Sequence, residues 1–305
     1  EAGQRFDKYI FKLLKNAGTG LIFKQLRNKN IVLNGKKAKG NEILKENDSV
    51  RIFMSDDTIN KFTGGPLHIS KTGFRLDVIY EDDDILLASK PVGVLSQKSS
   101  DKDISMNEYL IEYLTDNGFG KENLATFKPS FCNRLDRNTS GLMIAGKSLR
   151  GLQKMSEIIK DRSIHKFYLT IVKGIVDKKS VIKGYLRKDE KNNKVVIYDN
   201  PVKDSYEIHT EYEPLATKDD MTLLKVRLIT GKTHQIRAHL AGISHPVLGD
   251  FKYGDKVFNE KYGEKRQLLH SYQVVFPKLD NFPDISEKSF NTPYPVNFTK
   301  YFKEN

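Results

Sequence analysis

Cysteine is nearly absent from this chain: Cys132 is the only one among 305 residues. A single thiol excludes a disulfide framework and any zinc finger built on cysteines. It also fits a reducing compartment, so a cytoplasmic location is expected. No apolar run approaches the roughly 18 residues that a membrane helix needs, so no membrane partner is expected. Phosphate-loop chemistry is missing as well. Gly231-Lys232-Thr233 looks like the end of a Walker A motif, but Val226 stands where its first glycine should be. The N-terminal Glu1-Ala2-Gly3-Gln4-Arg5 has neither an initiator Met nor the apolar core of a signal peptide, as expected of a trimmed chain.

What is present is enough for a folded protein. With 38% hydrophobic and 10% aromatic residues the chain can bury a core, and its length suggests two domains. Its net charge is +12, from 51 Lys and Arg against 39 Asp and Glu. Residues 1–62 hold 13 of those cations and 7 of the acids, half of the net charge on about a fifth of the chain. A concentrated basic surface is the footprint of a polyanion binder, because neutralising phosphates releases counterions. Its bland counterpart is a well-solvated lysine-rich surface.

Along the chain, Tyr9, Ile10, Leu13 and Leu14 recur at helical spacing, and a break follows at Ala17-Gly18-Thr19-Gly20. A second helix is expected around Leu21, Ile22 and Leu26, with Lys24, Arg27 and Lys29 on its polar side. Ile31-Val32-Leu33 runs into Asn34-Gly35-Lys36, a hairpin signal, and Asp48 to Phe53 reads as a closing strand. Residues 58–75, rich in turn formers around Gly64-Gly65-Pro66, read as a linker. The division expected is therefore 1–57, 58–75 and 76–305.

Three stretches could carry chemistry. In the first, strands around Val78-Ile79-Tyr80 and Ile85-Leu86-Leu87 flank Glu81-Asp82-Asp83-Asp84, a carboxylate cluster that suits Mg²⁺ or simply a solvated turn. Lys90-Pro91-Val92-Gly93 ends it. The second, Asn133-Arg134-Leu135-Asp136-Arg137-Asn138-Thr139-Ser140-Gly141, sets one carboxylate between two arginines before an apolar strand. Neighbouring cations favour an ionised Asp136, a nucleophile or base, or else one half of a structural ion pair. The third runs from Thr230 through His234-Gln235-Ile236-Arg237-Ala238-His239 to His245 and Asp250. His234 and His239 are five apart, not the i, i+4 pairing that puts two ligands on one helical face, so contacts to substrate or a helix end are expected over a metal.

These stretches resemble known families. The basic helices, Val32-Leu33-Asn34-Gly35-Lys36 and Asn47-Asp48-Ser49-Val50 are similar to the S4 RNA-binding module. Asn133 to Gly141 resembles the central HRLDxxTSG motif of the RluA-type pseudouridine synthases. Around it, in the family's order, stand Lys90-Pro91-Val92-Gly93, Lys166-Phe167-Tyr168, Thr230 to Leu240, His245-Pro246 to Asp250, and Leu268-Leu269-His270-Ser271. The resemblance covers roughly residues 76–280 and departs from the motif at one position, where Asn133 replaces the usual His.

The resemblance implies an α+β catalytic domain with a mixed, mostly antiparallel central sheet and flanking helices, preceded by a small α/β S4-like domain. It implies an isomerase that converts uridine in RNA, foremost 23S ribosomal RNA of the large subunit, to pseudouridine, with no cofactor and no metal. Asp136 matches the family's catalytic aspartate, Arg237 the arginine that pairs with it, and Tyr168 the active-site tyrosine. Arg134 matches the arginine that fills the space left by a flipped uridine. Leu269, His234 and Gln235 are expected to contact substrate, and Lys24, Arg27 and Lys36 to contact RNA. A monomer is the default. The competing reading is an RNA-binding ribosome-assembly factor without catalysis, with Asn133 in its favour. A hydrolytic glycosidase would need two opposed carboxylates, and the central motif offers one.

Overall fold

Phe6, Ile10 and Leu14 fall on one side of the helix Phe6–Leu13 and its last turn, where all three are buried. They meet Ile22 and Leu26 of the helix Thr19–Arg27 and Ile31 of the first strand, so the helical spacing is spent on one small core. The computed structural model describes residues 2–63, 71–120 and 123–303. Its chain divides into two units, Glu1–Arg75 with Glu108–Ser130, and Leu76–Asn107 with Phe131–Asn305.

In the first unit the strands Lys36–Lys37, Ile31–Leu33 and Val50–Ile52 form an antiparallel sheet in that order. Asn34 and Gly35 make the turn between the first two with φ of 51° and 72°, the left-handed pair that a two-residue hairpin of this hand demands. Lys24, Arg27 and Lys36 are all exposed. The stretch expected to be a linker is different. Residues Asp56–Thr63 form a helix whose first turn carries Asp56 and Asp57 against the positive end of its dipole. Residues 71–75 are anchored too: Phe74 stacks on Tyr109 with ring centroids 4.1 Å apart, and Glu112 accepts from the Thr72 N–H at 2.9 Å. The turn formers Gly64-Gly65-Pro66 that suggested a linker lie outside the described residues.

The second unit is built on one sheet. Its hydrogen-bonded path runs through Lys194–Tyr198, Ser180–Asp189, Tyr206–Lys218, Met221–Leu228, His165–Lys173, Leu269–Val275, Ser140–Gly146, Ile85–Lys90 and Asp77–Glu81. Among the described residues the pairing of Leu269–Val275 with Ser140–Gly146 is parallel and the other neighbours on this path are antiparallel. This is the mixed, mostly antiparallel α+β arrangement expected. The apolar run after Ser140 is a central strand, and its helix Leu149–Lys160 covers it with Met155 and Ile158 against Ile85, Leu87, Leu142 and Ile144. A second cluster gathers Leu169, Ile171, Leu223, Leu248, Phe258 and Phe298.

The parallel pair requires a glycine. Gly141 has φ of 105°, and a Cβ there would stand 2.1 Å from the carbonyl oxygen of Ser271. That close approach brings the end of the Asp136 loop onto the strand that starts at Leu269.

Candidate active site

Asp136 lies in the loop just before strand Ser140–Gly146, and its backbone is held from both sides. On one side the buried Ser96 hydroxyl accepts from the Leu135 N–H at 2.9 Å and donates to the Leu135 carbonyl at 2.8 Å. On the other, the Arg137 carbonyl accepts from the Gly93 N–H at 2.8 Å and from Lys90 Nζ at 3.0 Å. Lys90 is fully buried and also donates to the carbonyls of Pro91 at 2.9 Å and Val94 at 2.7 Å. Three N–H donors thus meet three carbonyls. Burial pushes this ammonium down to a pKa of about 8, while the charge of Asp136 works in the opposite sense.

Two arginines adjoin Asp136 in the sequence, but neither is its partner here. Arg134 is exposed, and Arg137 donates through Nε to the Gly93 carbonyl at 3.0 Å. The cation comes from the helix Gln235–Gly242: Arg237 Nη1 donates to Asp136 Oδ2 at 2.7 Å. The same guanidinium grips Asp250 with Nε at 2.7 Å and Nη2 at 2.9 Å, a two-point contact that orients its plane. Asp250 also accepts from the N–H groups of Lys252 at 2.8 Å and Tyr253 at 3.1 Å. Burial opposes the charge on Arg237, yet the hydrogen bonds and charge of Asp250, then those of Asp136, raise its pKa above the ordinary value. Burial likewise disfavours the Asp250 anion, and Arg237 more than compensates, lowering its pKa. Asp136 remains the more open of the two carboxylates, with a quarter of its side chain exposed against none for Asp250.

His234 stands beside this pair with φ of 54°, in the left-handed region, immediately before the helix that carries Arg237. Burial, the largest effect, lowers its pKa; the charge of Asp136 works against that shift, and those of Arg237 and Lys252 add to it. The imidazole is therefore neutral at neutral pH. The Tyr253 hydroxyl accepts from the Val195 N–H at 2.8 Å and is hydrogen-bonded to His234 Nδ1 at 2.9 Å. The other ring nitrogen, Nε2, lies 3.9 Å from Asp136 Oδ2. Tyr253 also lies under Arg237, with the guanidinium carbon 5.3 Å from the ring centroid.

A cleft of about 370 Å³ opens over Asp136, lined on its apolar side by Tyr168, Leu228, Ile236 and Leu269 and on its polar side by Arg134, Lys232, His234 and Arg237. Tyr168 is 5% exposed. Burial pushes its hydroxyl up to about 12, with a hydrogen bond to Ser271 pulling down and the charge of Asp136 pushing up, so it is a phenol at neutral pH.

Of the other expected contacts, Gln235 also lines the cleft. Gln235 is 2% exposed and spends its whole amide internally, accepting from Thr230 Oγ1 and the Lys232 N–H and donating to the His209 carbonyl and Thr210 Oγ1. It shapes the loop before Arg237 and has no donor or acceptor left for RNA. Asn133 does not face the cleft chemistry either: its Oδ1 accepts from the Ile144 N–H at 2.8 Å, tying the loop to the central strand. The carboxylates after Tyr80 serve their turn and neighbouring cations. Asp82 Oδ1 accepts from the N–H groups of Asp84 and Ile85, Glu81 pairs with Lys147 at 2.5 Å, and Asp84 with Arg150. His239 bonds Thr210 Oγ1 and His245 the Lys173 carbonyl, so the three histidines do not converge. Cys132 packs against the core beside Ile85 and Leu142, and burial raises its thiol to about 11. Tyr253 and Ser96 were not legible in the sequence, because a lone Tyr or Ser carries no pattern. Lys90 and Asp250 stood inside matched motifs, and only their contacts reveal their work.

A family model described as RNA pseudouridylate synthase matches residues 84–242. An uncharacterized RNA pseudouridine synthase of Mycoplasma genitalium is 32% identical over 294 residues, covering 94% of this chain and 90% of that protein. The ribosomal large subunit pseudouridine synthase C of Pasteurella multocida is 29% identical over 286 residues, with coverage of 90% and 83%. Among solved structures, the human RNA pseudouridylate synthase domain containing 4 matches 73% of this chain and 90% of its own, with a TM-score of 0.59 and 20% identity.

Proposed function

Because this chain belongs to the RNA pseudouridylate synthase family, whose members are isomerases, we propose that it converts uridines of large-subunit ribosomal RNA to pseudouridine at Asp136. The observation that carries this reading is the Arg237 guanidinium shared between a semi-exposed Asp136 and a buried Asp250. Asp250 balances the guanidinium from behind and fixes its plane. Arg237 in turn holds the Asp136 carboxylate aimed into the cleft.

Uridine and pseudouridine are isomers. The bond from ribose C1′ to N1 breaks, a bond from C1′ to C5 forms, C5 gives up its proton and N1 gains one. No electron or water is consumed, so the demand on the protein is an anion at the sugar or base and a cleft that keeps water out. Asp136 supplies the anion, whether it attacks C1′, attacks C6 or removes a ribose proton. Tyr168 and Leu269 supply apolar walls for the uracil. A phenol whose pKa is near 12 is not a resting base, which favours packing as the role of Tyr168. The target nucleotide has to leave its helix to enter, and the exposed Arg134 at the cleft mouth can stack in the space it vacates. The first unit, in this reading an S4-like module, adds phosphate contacts through Lys24, Arg27 and Lys36.

The test is tritium release from ribosomal RNA labelled at uracil C5. Wild-type protein is expected to release tritium, and Asp136→Asn to release none while binding RNA as tightly. Equal release by both proteins would remove Asp136 from the mechanism; no release from either, with RNA bound, would leave an assembly factor.

A further inference from the structure

A second cavity, of about 440 Å³, adjoins the cleft and is lined by Arg162, Tyr206, Glu207, His209, Thr230 and Lys232. Lys232 lines both cavities. Through Tyr206 the second cavity shares a sheet face with the cleft, while Glu207 and His209 alternate to the other face. Tyr168 is registered opposite Val226, and Leu228, two residues further along that strand, opposite Thr210. Side chains two residues apart in a strand share a face, so Tyr206, Ile208 and Thr210 point to the side on which Tyr168 and Leu228 line the cleft.

The chemistry of this cavity is that of a nucleotide site. Tyr206 is 57% exposed, unusual for an aromatic ring on a sheet face, and the Lys232 ammonium stands 3.8 Å from its ring centroid. Arg162 is exposed at the rim. The one carboxylate in its lining, Glu207, accepts from His209 Nε2 at 2.8 Å and feels the charge of Arg162, so the two cations outnumber one anion. An exposed aromatic ring beside cations is what single-stranded RNA binds, the base taking the place of the Lys232 ammonium on the ring and that ammonium turning to the phosphate. Continuity with the cleft selects the same RNA chain as occupant.

We propose that this cavity holds a nucleotide adjoining the target uridine in the RNA chain, its base stacked on Tyr206 and its phosphate held by Arg162 and Lys232. The inference rests on the cleft over Asp136 being the uridine site. Tyr206 and Arg162 touch none of the reacting atoms, so they act on substrate capture.

The experiment measures kcat and KM for tritium release from C5-labelled ribosomal RNA, and in parallel the affinity for a short single-stranded RNA by fluorescence anisotropy. Tyr206→Ala is expected to raise KM and weaken the oligonucleotide roughly 5- to 150-fold with little change in kcat, whereas Tyr206→Phe, which keeps the stacking face, stays near wild type. Arg162→Ala should weaken binding and flatten the dependence of log K on log salt by about 0.7 to 0.9. Wild-type KM and affinity in both alanine variants, with Asp136→Asn inactive, would overturn the subsite and leave the cleft assignment intact. If wild-type protein released no tritium, the cleft assignment would fall, and unchanged oligonucleotide affinity in Tyr206→Ala would still refute the subsite.

Discussion

At the scale of single residues, the site is a sequence of donors and acceptors with little freedom. Val195 donates to Tyr253, Tyr253 is hydrogen-bonded to His234 Nδ1, and His234 Nε2 lies 3.9 Å from Asp136. A neutral imidazole accepts on one nitrogen and donates from the other, so the partner at Nδ1 is coupled to what Nε2 offers Asp136. Tyr253→Phe removes that partner of Nδ1. The expected outcome is a kcat lower by about tenfold, the order of one lost hydrogen bond, at nearly unchanged RNA affinity. Single-turnover rates and binding isotherms on the same RNA separate the two; a fall in affinity with kcat preserved would make Tyr253 a binding residue instead. Nothing in the spelling of residues 230–253 announces this relay, since it depends on Val195 from a distant strand.

At the scale of elements, the aspartate loop is clamped by the segment that follows strand Ile85–Lys90. Ser96 saturates both backbone groups of Leu135, and Lys90 with Gly93 holds Arg137. Those contacts explain why a lysine sits at the end of a buried strand, a position that otherwise costs several kcal/mol in desolvation. Ser96→Ala would leave the Leu135 N–H and C=O without their partner inside the protein. We expect a loss of about 1–3 kcal/mol in stability, read from urea unfolding, and a lower kcat from a looser Asp136. A variant with unchanged kcat despite the lost stability would show that the loop holds its shape without the clamp. The reading of residues 58–75 as a linker missed a short helix at their start. Turn-forming residues outweighed a short helix, Asp56–Thr63, whose acidic first turn is the signal that was there to be used.

For the whole molecule, the governing quantity is charge. The first 62 residues carry a local excess of six positive charges, and Lys24, Arg27 and Lys36 all lie on the surface. In the proposed function they contact phosphates, and each such contact would add to the salt dependence of binding. Replacing the three together by Ala is expected to flatten the slope of log K against log salt by about 2 to 3, with kcat at saturating RNA unchanged. Titrations of a ribosomal RNA fragment at several salt concentrations measure it. An unaltered slope would confine RNA contact to the second unit. The three cations need not touch the cleft for this effect, because long-range attraction acts on capture and not on the bond changes at Asp136.

The residue string by itself determined the local elements and the family. Apolar spacing marked the first two helices, Asn34-Gly35 the hairpin, and the run after Ser140 the central strand, because each depends on neighbours within a few positions. The motifs around Asp136, Tyr168, Arg237 and Leu269 were readable for the same reason, as short patterns in a fixed order. Tertiary structure alone decided which cation serves Asp136. The adjacent Arg134 and Arg137 do not, while Arg237, 101 positions away, does. It also decided that Gln235 is internal, that Asn133 braces the central strand, and that Ser96, Lys90, Asp250 and Tyr253 belong to the site. A hydrogen bond is set by distance and direction in space, and strands far apart in sequence become neighbours only when the sheet has formed.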